Sequence, residues 1–114
     1  MSVTPLPFGI EVRTDGGVRS IAVVGEVDMS TAPMLADAIG TALADETAQS
    51  AQPVVSVSID LSSVGFIDSS GLRALLAGRS HAESQGVRLS VVSASPSVTR
   101  LLEATGLSEL LAGG

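Results

Sequence analysis

The sequence predicts an α/β domain with a mixed β-sheet, opened by an antiparallel hairpin and covered by helices packed mainly on one face. Apolar residues alternate with period two in two segments and form strand-like stretches in two more, and they recur at helical spacing in three others. After the hairpin, strands and helices alternate, which calls for parallel strands joined by crossovers. A length of 114 residues suits one domain. We expect residues 1–114 to form that domain, with a core over about 8–111.

The first element is predicted to be a β-hairpin. Phe8, Ile10 and Val12 alternate with small or polar residues, and an apolar run resumes over residues 18–24. Between them, Asp15-Gly16-Gly17 supplies residues that tolerate the backbone angles of a tight turn.

The first helix is predicted over about residues 31–44. Ser30 and Thr31 offer hydroxyl groups that could cap it, and Pro33 suits its first turn. The residues at helical spacing are Met34, Leu35, Ala38, Ile39, Ala42 and Leu43. The polar stretch 45–53 is expected to be a surface loop.

The next strand is predicted from alternating Val55, Val57, Ile59 and Leu61. A helical pattern starts after Asp68, with Leu72, Leu75, Leu76 and the stem of Arg79 facing inward. Glycine accepts the left-handed conformation that follows a helix, so Gly86 marks its end.

A strand over 87–93 and a third helix complete the prediction. Ser95 offers a cap, Pro96 suits the first turn, and Gly106 ends the helix. The inward residues of this helix are Val98, Leu101 and Leu102. Residues 107–111 are expected to form one more short turn, and Gly113 and Gly114 to fray.

Composition narrows the classes of function. Six cations, all Arg, face twelve acidic residues, for a net charge of −6, so binding of free nucleic acid is not expected. The absence of cysteine excludes disulfides and thiolate metal sites. No apolar run approaches about 18 residues, and the start of the chain lacks the pattern of a secretory signal. We therefore expect a cytoplasmic protein without membrane insertion.

The segment Asp68-Ser69-Ser70-Gly71 lies where a strand pattern gives way to a helix pattern. The first turn of a helix has N–H groups without intrahelical partners, which favour a phosphate or another anion. The segment is thus a candidate site for placing and holding a phosphoryl group. It is also a candidate capping segment, because Asp and Ser are preferred at helix starts.

The sequence gives little support for enzymatic catalysis. The single histidine, His81, lies about three helical turns beyond Ser69, roughly 15–18 Å away, and is expected at the surface. Asp28, Asp60 and Asp68 lie near strand ends without an aromatic wall to raise a pKa, and Asp28 and Asp68 are expected to cap turns or to accept from loop N–H groups. No nucleotide-binding glycine motif occurs. We expect no enzyme activity, cofactor or metal.

Three blocks of sequence resemble one known family. Asp60-Leu61-Ser62 to Val64, followed by residues 66–72, is similar to the signature of the STAS family, specifically of bacterial anti-sigma factor antagonists. Residues 25–28 with 31–33 resemble its second block, and residues 93–98, 101–102 and 105–107 resemble its closing pattern. The blocks keep the family's order from about Ile10 to Leu111. The resemblance implies a STAS fold.

The resemblance also implies a regulatory role. A kinase anti-sigma factor of the histidine-kinase-like ATPase fold would bind the unphosphorylated protein, release a sigma factor, and phosphorylate Ser69; a serine phosphatase would reverse this. Ser70 would cap or assist. The partner-binding residues implied are Gly25, Glu26, Asp28, Asp68, Ser69, Ser70, Gly71 and Arg73. The protein would be a monomer or weak dimer.

Two alternatives remain open. The chain could be a non-catalytic docking subunit of a lipid transporter or of a stress-sensing complex, in which the helix after Asp68 is a contact face. A small enzyme is the third class. Met29 stands where relatives often carry a small or polar residue, which bears on partner choice.

Overall fold

The structure, a computed structural model, describes residues 8–44 and 53–111. These described residues form four strands, three α-helices and a 3₁₀ helix. In chain order these are β1 (Gly9–Asp15), β2 (Val18–Val27), α1 (Ala32–Leu43), β3 (Ser56–Ile67), α2 (Ser69–Ser84), β4 (Arg88–Ala94), α3 (Pro96–Ala104) and the 3₁₀ helix Ser108–Leu110.

One mixed sheet holds all four strands in the order β1-β2-β3-β4. The β1–β2 pair is antiparallel, whereas β2–β3 and β3–β4 are parallel. Gly16 has a φ of 61° in the two-residue turn between Asp15 and Val18, a conformation that favours glycine. The predicted hairpin and mixed sheet are both confirmed.

The two faces of the sheet differ in burial. One face carries the strand residues of the core, and α1 and α2 pack against it. The opposite face, called here the open face, shows mostly small or polar side chains in the described part of the chain: Glu11, Arg13, Ser20, Ala22, Ser58, Asp60 and Val92. The prediction that the helices pack mainly on one face agrees with this difference.

Strand β3 is longer and less regular than its alternating pattern predicts. Its pairing with β2 shifts register after Ala22 and again after Gly25, while its pairing with β4 shifts at Ile59. These irregularities let Val64 and Ile67, three residues apart, both point into the core. A strict two-residue period could not place both on one face.

The helix boundaries agree with the prediction to within a few residues. Gly86 and Gly106, with φ of 72° and 74°, follow α2 and α3 as expected. The Ser95 hydroxyl accepts from the Val98 N–H at 3.4 Å and donates to the Val64 carbonyl at 2.6 Å. The last predicted turn is the 3₁₀ helix.

Two side chains differ from expectation. Met34, one of the residues at helical spacing, is 52% exposed, because the buried stripe of α1 centres on Leu35 and Ile39. Arg19 is 1% exposed on the core side of β2, where it donates to the Gly16 carbonyl at 3.0 Å. The predicted loop 45–53 lies, apart from Pro53, outside the described residues, as do Gly113 and Gly114.

Candidate functional site

Ser69 is the first residue of α2 and its side chain is exposed. Within residues 8–44 and 53–111, its hydroxyl makes no hydrogen bond. The strand before it and the helix after it both contribute to the core, so the hydroxyl sits on a rigid junction. A well-packed backbone and an unengaged hydroxyl are compatible with attack on an incoming phosphoryl donor.

Asp68 caps α2, as expected of that aspartate. One of its carboxylate oxygens accepts from the N–H groups of Ser70 at 2.8 Å and Gly71 at 3.2 Å. Ser70 therefore does not cap the helix, and of its two expected roles only that of assisting stays a prediction. The expectation that the first N–H groups of the helix are free to receive a phosphate is wrong for two of them, because this carboxylate already occupies them.

Asp28 builds a similar turn at the end of β2. Its carboxylate accepts from the N–H of Ser30 at 2.9 Å, the hydroxyl of Ser30 at 2.6 Å and the N–H of Thr31 at 3.2 Å. These bonds, chiefly that from the Ser30 hydroxyl, hold the pKa of Asp28 below its ordinary value. Asp28 thus accepts from loop N–H groups as predicted.

The hydroxyl cap predicted for α1 is not formed. Thr31 is the N-cap residue, but its hydroxyl donates to the Glu26 carbonyl at 2.8 Å and accepts from the Asp28 N–H at 2.9 Å. The side chain therefore ties the loop back to β2 instead of bonding a helix N–H. The N–H groups of Ser30 and Thr31 donate to the Asp28 carboxylate.

Backbone contacts bring the two turns together. The Asp68 N–H donates to the Val27 carbonyl at 3.0 Å, which joins the residue after β3 to the end of β2. Gly71 is buried at this junction: a Cβ there would lie 2.5 Å from Ile67 and 2.7 Å from Val27. The missing side chain of Gly71 allows α2 to start directly against the strand ends.

A shallow groove of about 300 Å³ separates the first turns of α1 and α2. Its lining residues are Met29, Ala32, Pro33, Ala36, Ser70, Arg73 and Ala74. Met29, 79% exposed, is the most exposed large apolar side chain among the described residues. Arg73 is exposed one helical turn beyond Ser69, and so lies on the same side of α2.

The remaining predicted site residues have different positions. Glu26 is exposed and pairs across the sheet with Phe66, which is 48% exposed. Gly25 is buried, and its φ of 106° is a conformation that favours glycine. Gly25 can therefore act only through the backbone path of the loop. Phe66 was not among the predicted site residues, since a strand aromatic is usually buried.

His81 and Asp60, two titratable residues considered for catalysis, lie away from this site. His81 is exposed near the far end of α2, where its Nε2 lies 3.0 Å from the side-chain nitrogen of Gln85. The expected surface position of His81 is confirmed. Hydrogen bonds from Ser62, chiefly from its hydroxyl, lower the pKa of Asp60, which lies on the open face. Among the described residues, no helix is long and apolar enough to cross a membrane.

The structure thus gathers most of the predicted site at one end of the sheet. The junction of β2 and β3 with the two helices is surrounded by Asp28, Asp68, Ser69, Ser70 and Gly71. Glu26 lies at the rim of this end and Arg73 one turn along α2.

Comparison with known proteins gives concordant results. A family model described as the STAS domain matches residues 9–112. The anti-sigma-F factor antagonist RsfB of Mycobacterium tuberculosis (strain ATCC 25618 / H37Rv) is 34% identical over 105 residues, covering 92% of this chain and 80% of RsfB. The crystal structure of an anti-sigma factor antagonist from Mycobacterium paratuberculosis matches with a TM-score of 0.76 and 33% identity, over 93% of this chain and 84% of that chain.

A more distant likeness concerns the fold alone. SpoIIAA, an anti-sigma factor antagonist in its unphosphorylated form, matches with a TM-score of 0.73 and 22% identity, over 92% of this chain and 85% of that chain. Both the sequence and the fold lead to the same assignment: the chain belongs to the STAS domain family, and relatives at 33–34% identity are anti-sigma factor antagonists.

Proposed function

We propose that this protein is an anti-sigma factor antagonist. In its unphosphorylated form it binds a kinase anti-sigma factor with a histidine-kinase-like ATPase fold, and this binding frees a sigma factor. The names of its relatives in two mycobacterial species support the assignment. The protein then acts by binding, without catalysis of its own, in the cytoplasm where sigma factors work.

Phosphorylation of Ser69 turns the antagonist off. The observation that carries this assignment is the exposed Ser69 hydroxyl, which has no hydrogen-bond partner among the described residues. In the transfer, the Ser69 oxygen bonds the γ-phosphorus of ATP held by the kinase, the bond to the β-phosphate oxygen breaks, and ADP leaves. The hydroxyl proton passes to a base of the kinase, and a serine phosphatase later hydrolyses the ester.

The added phosphate acts on the interface. It brings about −1.5 to −2 charges at neutral pH beside the Asp68 carboxylate, on a chain whose net charge is already −6. Docking onto the nucleotide site of a kinase, which holds phosphates of its own, becomes repulsive. The fold survives, because the Ser69 side chain contributes no hydrogen bond to the described part of the chain.

The partner-binding surface surrounds Ser69. We assign to it Glu26, Asp28, Asp68, Ser70 and Arg73 by their side chains, and Gly25 and Gly71 through the backbone shapes that they permit. The groove with exposed Met29 provides the apolar part of this surface. A bulky thioether there influences which partner fits.

The experiment that tests this function is affinity capture from the native lysate. Immobilised wild-type protein is compared with Ser69→Glu, and with Ser80→Glu as a control that adds the same charge to an exposed position further along α2. We expect wild type and Ser80→Glu to retain a histidine-kinase-like ATPase, identified by mass spectrometry, and Ser69→Glu to bind it at least about tenfold more weakly.

Two results would contradict the proposal. Equal binding of the ATPase by wild type and by Ser69→Glu would contradict the electrostatic switch. Equal recovery of transporter or scaffold subunits by all three proteins, without such an ATPase, would favour the docking-subunit alternative.

A further inference from the structure

The outer edge of β1 is unpaired in the described part of the chain. We propose that this edge binds β1 of a second copy of the same chain in antiparallel orientation, with Val12 opposite the partner's Val12. The two four-stranded sheets would then form one continuous sheet across a two-fold axis.

The direction of the backbone groups follows from two contacts at the start of β2. The Gly17 carbonyl accepts from the N–H groups of Val55 and Ser56, at 2.8 Å and 3.3 Å. Backbone groups alternate in direction along a strand, so odd-numbered residues at this end of β2 turn toward β3 and even-numbered residues toward β1. Even residues of β2 pair with odd residues of β1, such as Ser20 with Arg13.

The even-numbered residues of β1 therefore point their N–H and C=O groups outward. These residues are Ile10, Val12 and Thr14. They offer three donors and three acceptors, which two copies can satisfy reciprocally. An exposed edge of this kind is a template for another strand unless charge or proline protects it. β1 contains no proline, and its exposed charges, Glu11, Arg13 and Asp15, are of both signs, so that they can pair across a two-fold axis.

Charge selects one register. With Val12 opposite the partner's Val12, Glu11 lies opposite the partner's Arg13, and Arg13 opposite the partner's Glu11. A slip of the partner by two residues in one direction places Glu11 opposite Glu11, and a slip in the other direction places Arg13 opposite Arg13. Among these three registers only the central one brings opposite charges together, and cross-strand pairs of like charge are destabilising. A slip of four residues would pair Arg13 with the partner's Asp15, but it would keep only residues 13–15 of β1 in the ladder.

The same side chains are available for this pairing. Glu11 and Arg13 are both exposed on the open face, and within one copy Arg13 Nε lies 2.8 Å from Glu11 Oε1. Two copies would combine these pairs into a cluster of four alternating charges. In this register Glu11 and Arg13 occupy positions without mutual backbone hydrogen bonds, where side chains approach more closely.

The other face of the edge adds apolar contact and leaves room for the helices. Val12 is 47% exposed there, and pairing would cover it with the partner's Val12. Helix α1 packs over β1, β2 and β3, with β2 as the middle strand beneath it. The two copies of β2, and with them the two copies of α1, would lie three strand spacings apart, roughly 14 Å. This distance exceeds the 8–10 Å between packed helices, so the two helices would not collide.

Sedimentation velocity of the full chain, over about 10 µM to 1 mM, tests the interface. We expect wild type to dimerise reversibly. Glu11→Arg and Arg13→Glu should each weaken dimerisation by roughly tenfold or more, since both charge pairs become repulsive. The double variant E11R/R13E should regain the wild-type dissociation constant, and a mixture of the two single variants should associate more tightly than either alone.

Two further variants complete the test. Val12→Pro removes an outward N–H without breaking the β1–β2 ladder and should abolish the dimer, with circular dichroism to verify folding. Arg100→Glu makes the same charge change at an exposed position on α3 and should leave dimerisation unchanged. Wild type that stays monomeric at 1 mM would overturn the proposal, and so would a dimer equally stable in both single charge reversals.

Discussion

Helices α1 and α2 begin in similar ways, but their first hydroxyl groups have different fates. Each helix follows a parallel strand of the sheet, and at each start an aspartate accepts two backbone N–H groups of the turn. Before α1, the hydroxyls of Ser30 and Thr31 are hydrogen-bonded within the turn or to Glu26. At α2, the Ser69 hydroxyl is exposed and has no such partner in the described residues.

The difference shows how one local motif serves two purposes. Before α1, the hydroxyls of Ser30 and Thr31 stabilise the loop, and neither is unengaged, because each already forms a hydrogen bond. At α2, the aspartate alone accepts from the N–H groups of the turn, so the hydroxyl of the adjacent Ser69 is unengaged and, in our proposal, available for phosphorylation. A sequence rich in Asp, Ser and Thr at both helix starts does not by itself distinguish the two.

The largest expected effect tests this comparison directly. Ser69→Ala should abolish phosphoryl incorporation from ATP by the captured kinase, whereas Ser30→Ala should leave it near the wild-type level. Phosphate incorporation is followed by intact-protein mass spectrometry, which resolves the added mass. If Ser69→Ala were still modified to the same extent, the comparison would be broken and the acceptor would lie elsewhere.

A smaller effect concerns how closely each helix approaches the strands. Gly71→Ala should destabilise the fold by about 1–3 kcal/mol, since the new Cβ meets Ile67 and Val27 within 2.5–2.8 Å. Gly40→Ala in α1 meets nothing within 4 Å and should stabilise by roughly 0.5–1 kcal/mol through helix propensity. Urea unfolding measures both. Equal effects of the two substitutions would contradict the close approach at α2.

The smallest expected effect is a shift in the pKa of Asp28, which lies in the turn before α1. Since the pKa of Asp28 is lowered from 3.8, its contribution to stability is present above about pH 3.8 and is lost as the pH falls through the lower folded value. Carbon-13 NMR of the carboxyl group should show this lowered pKa. In Ser30→Ala it should move back toward 3.8, because the Ser30 hydroxyl is the main cause. An Asp28 that titrates at or above 3.8 would contradict the turn geometry.

Periodicity and turn residues predicted most of the fold because the elements obey local rules. The hairpin at Gly16, the proline starts of α1 and α3, and the helix ends near Gly86 and Gly106 all follow from backbone preferences. The second half of β3 did not follow, because its register shifts depend on both neighbouring strands. Burial of Arg19 was also unpredicted, since its carbonyl partner Gly16 is supplied by the folded turn.

The sequence alone determined the order of the elements, the site segment at residues 68–71 and the family resemblance, because these are recorded in residue types and spacing. Only the tertiary structure showed that the hydroxyls of Ser30 and Thr31 are hydrogen-bonded whereas that of Ser69 is exposed and without a partner in the described residues. It showed that Asp68 occupies the N–H groups expected to be open, and that Val27 and Gly71 join two distant loops into one surface. Such choices depend on hydrogen bonds and contacts between strand ends, which exist only after the sheet has formed.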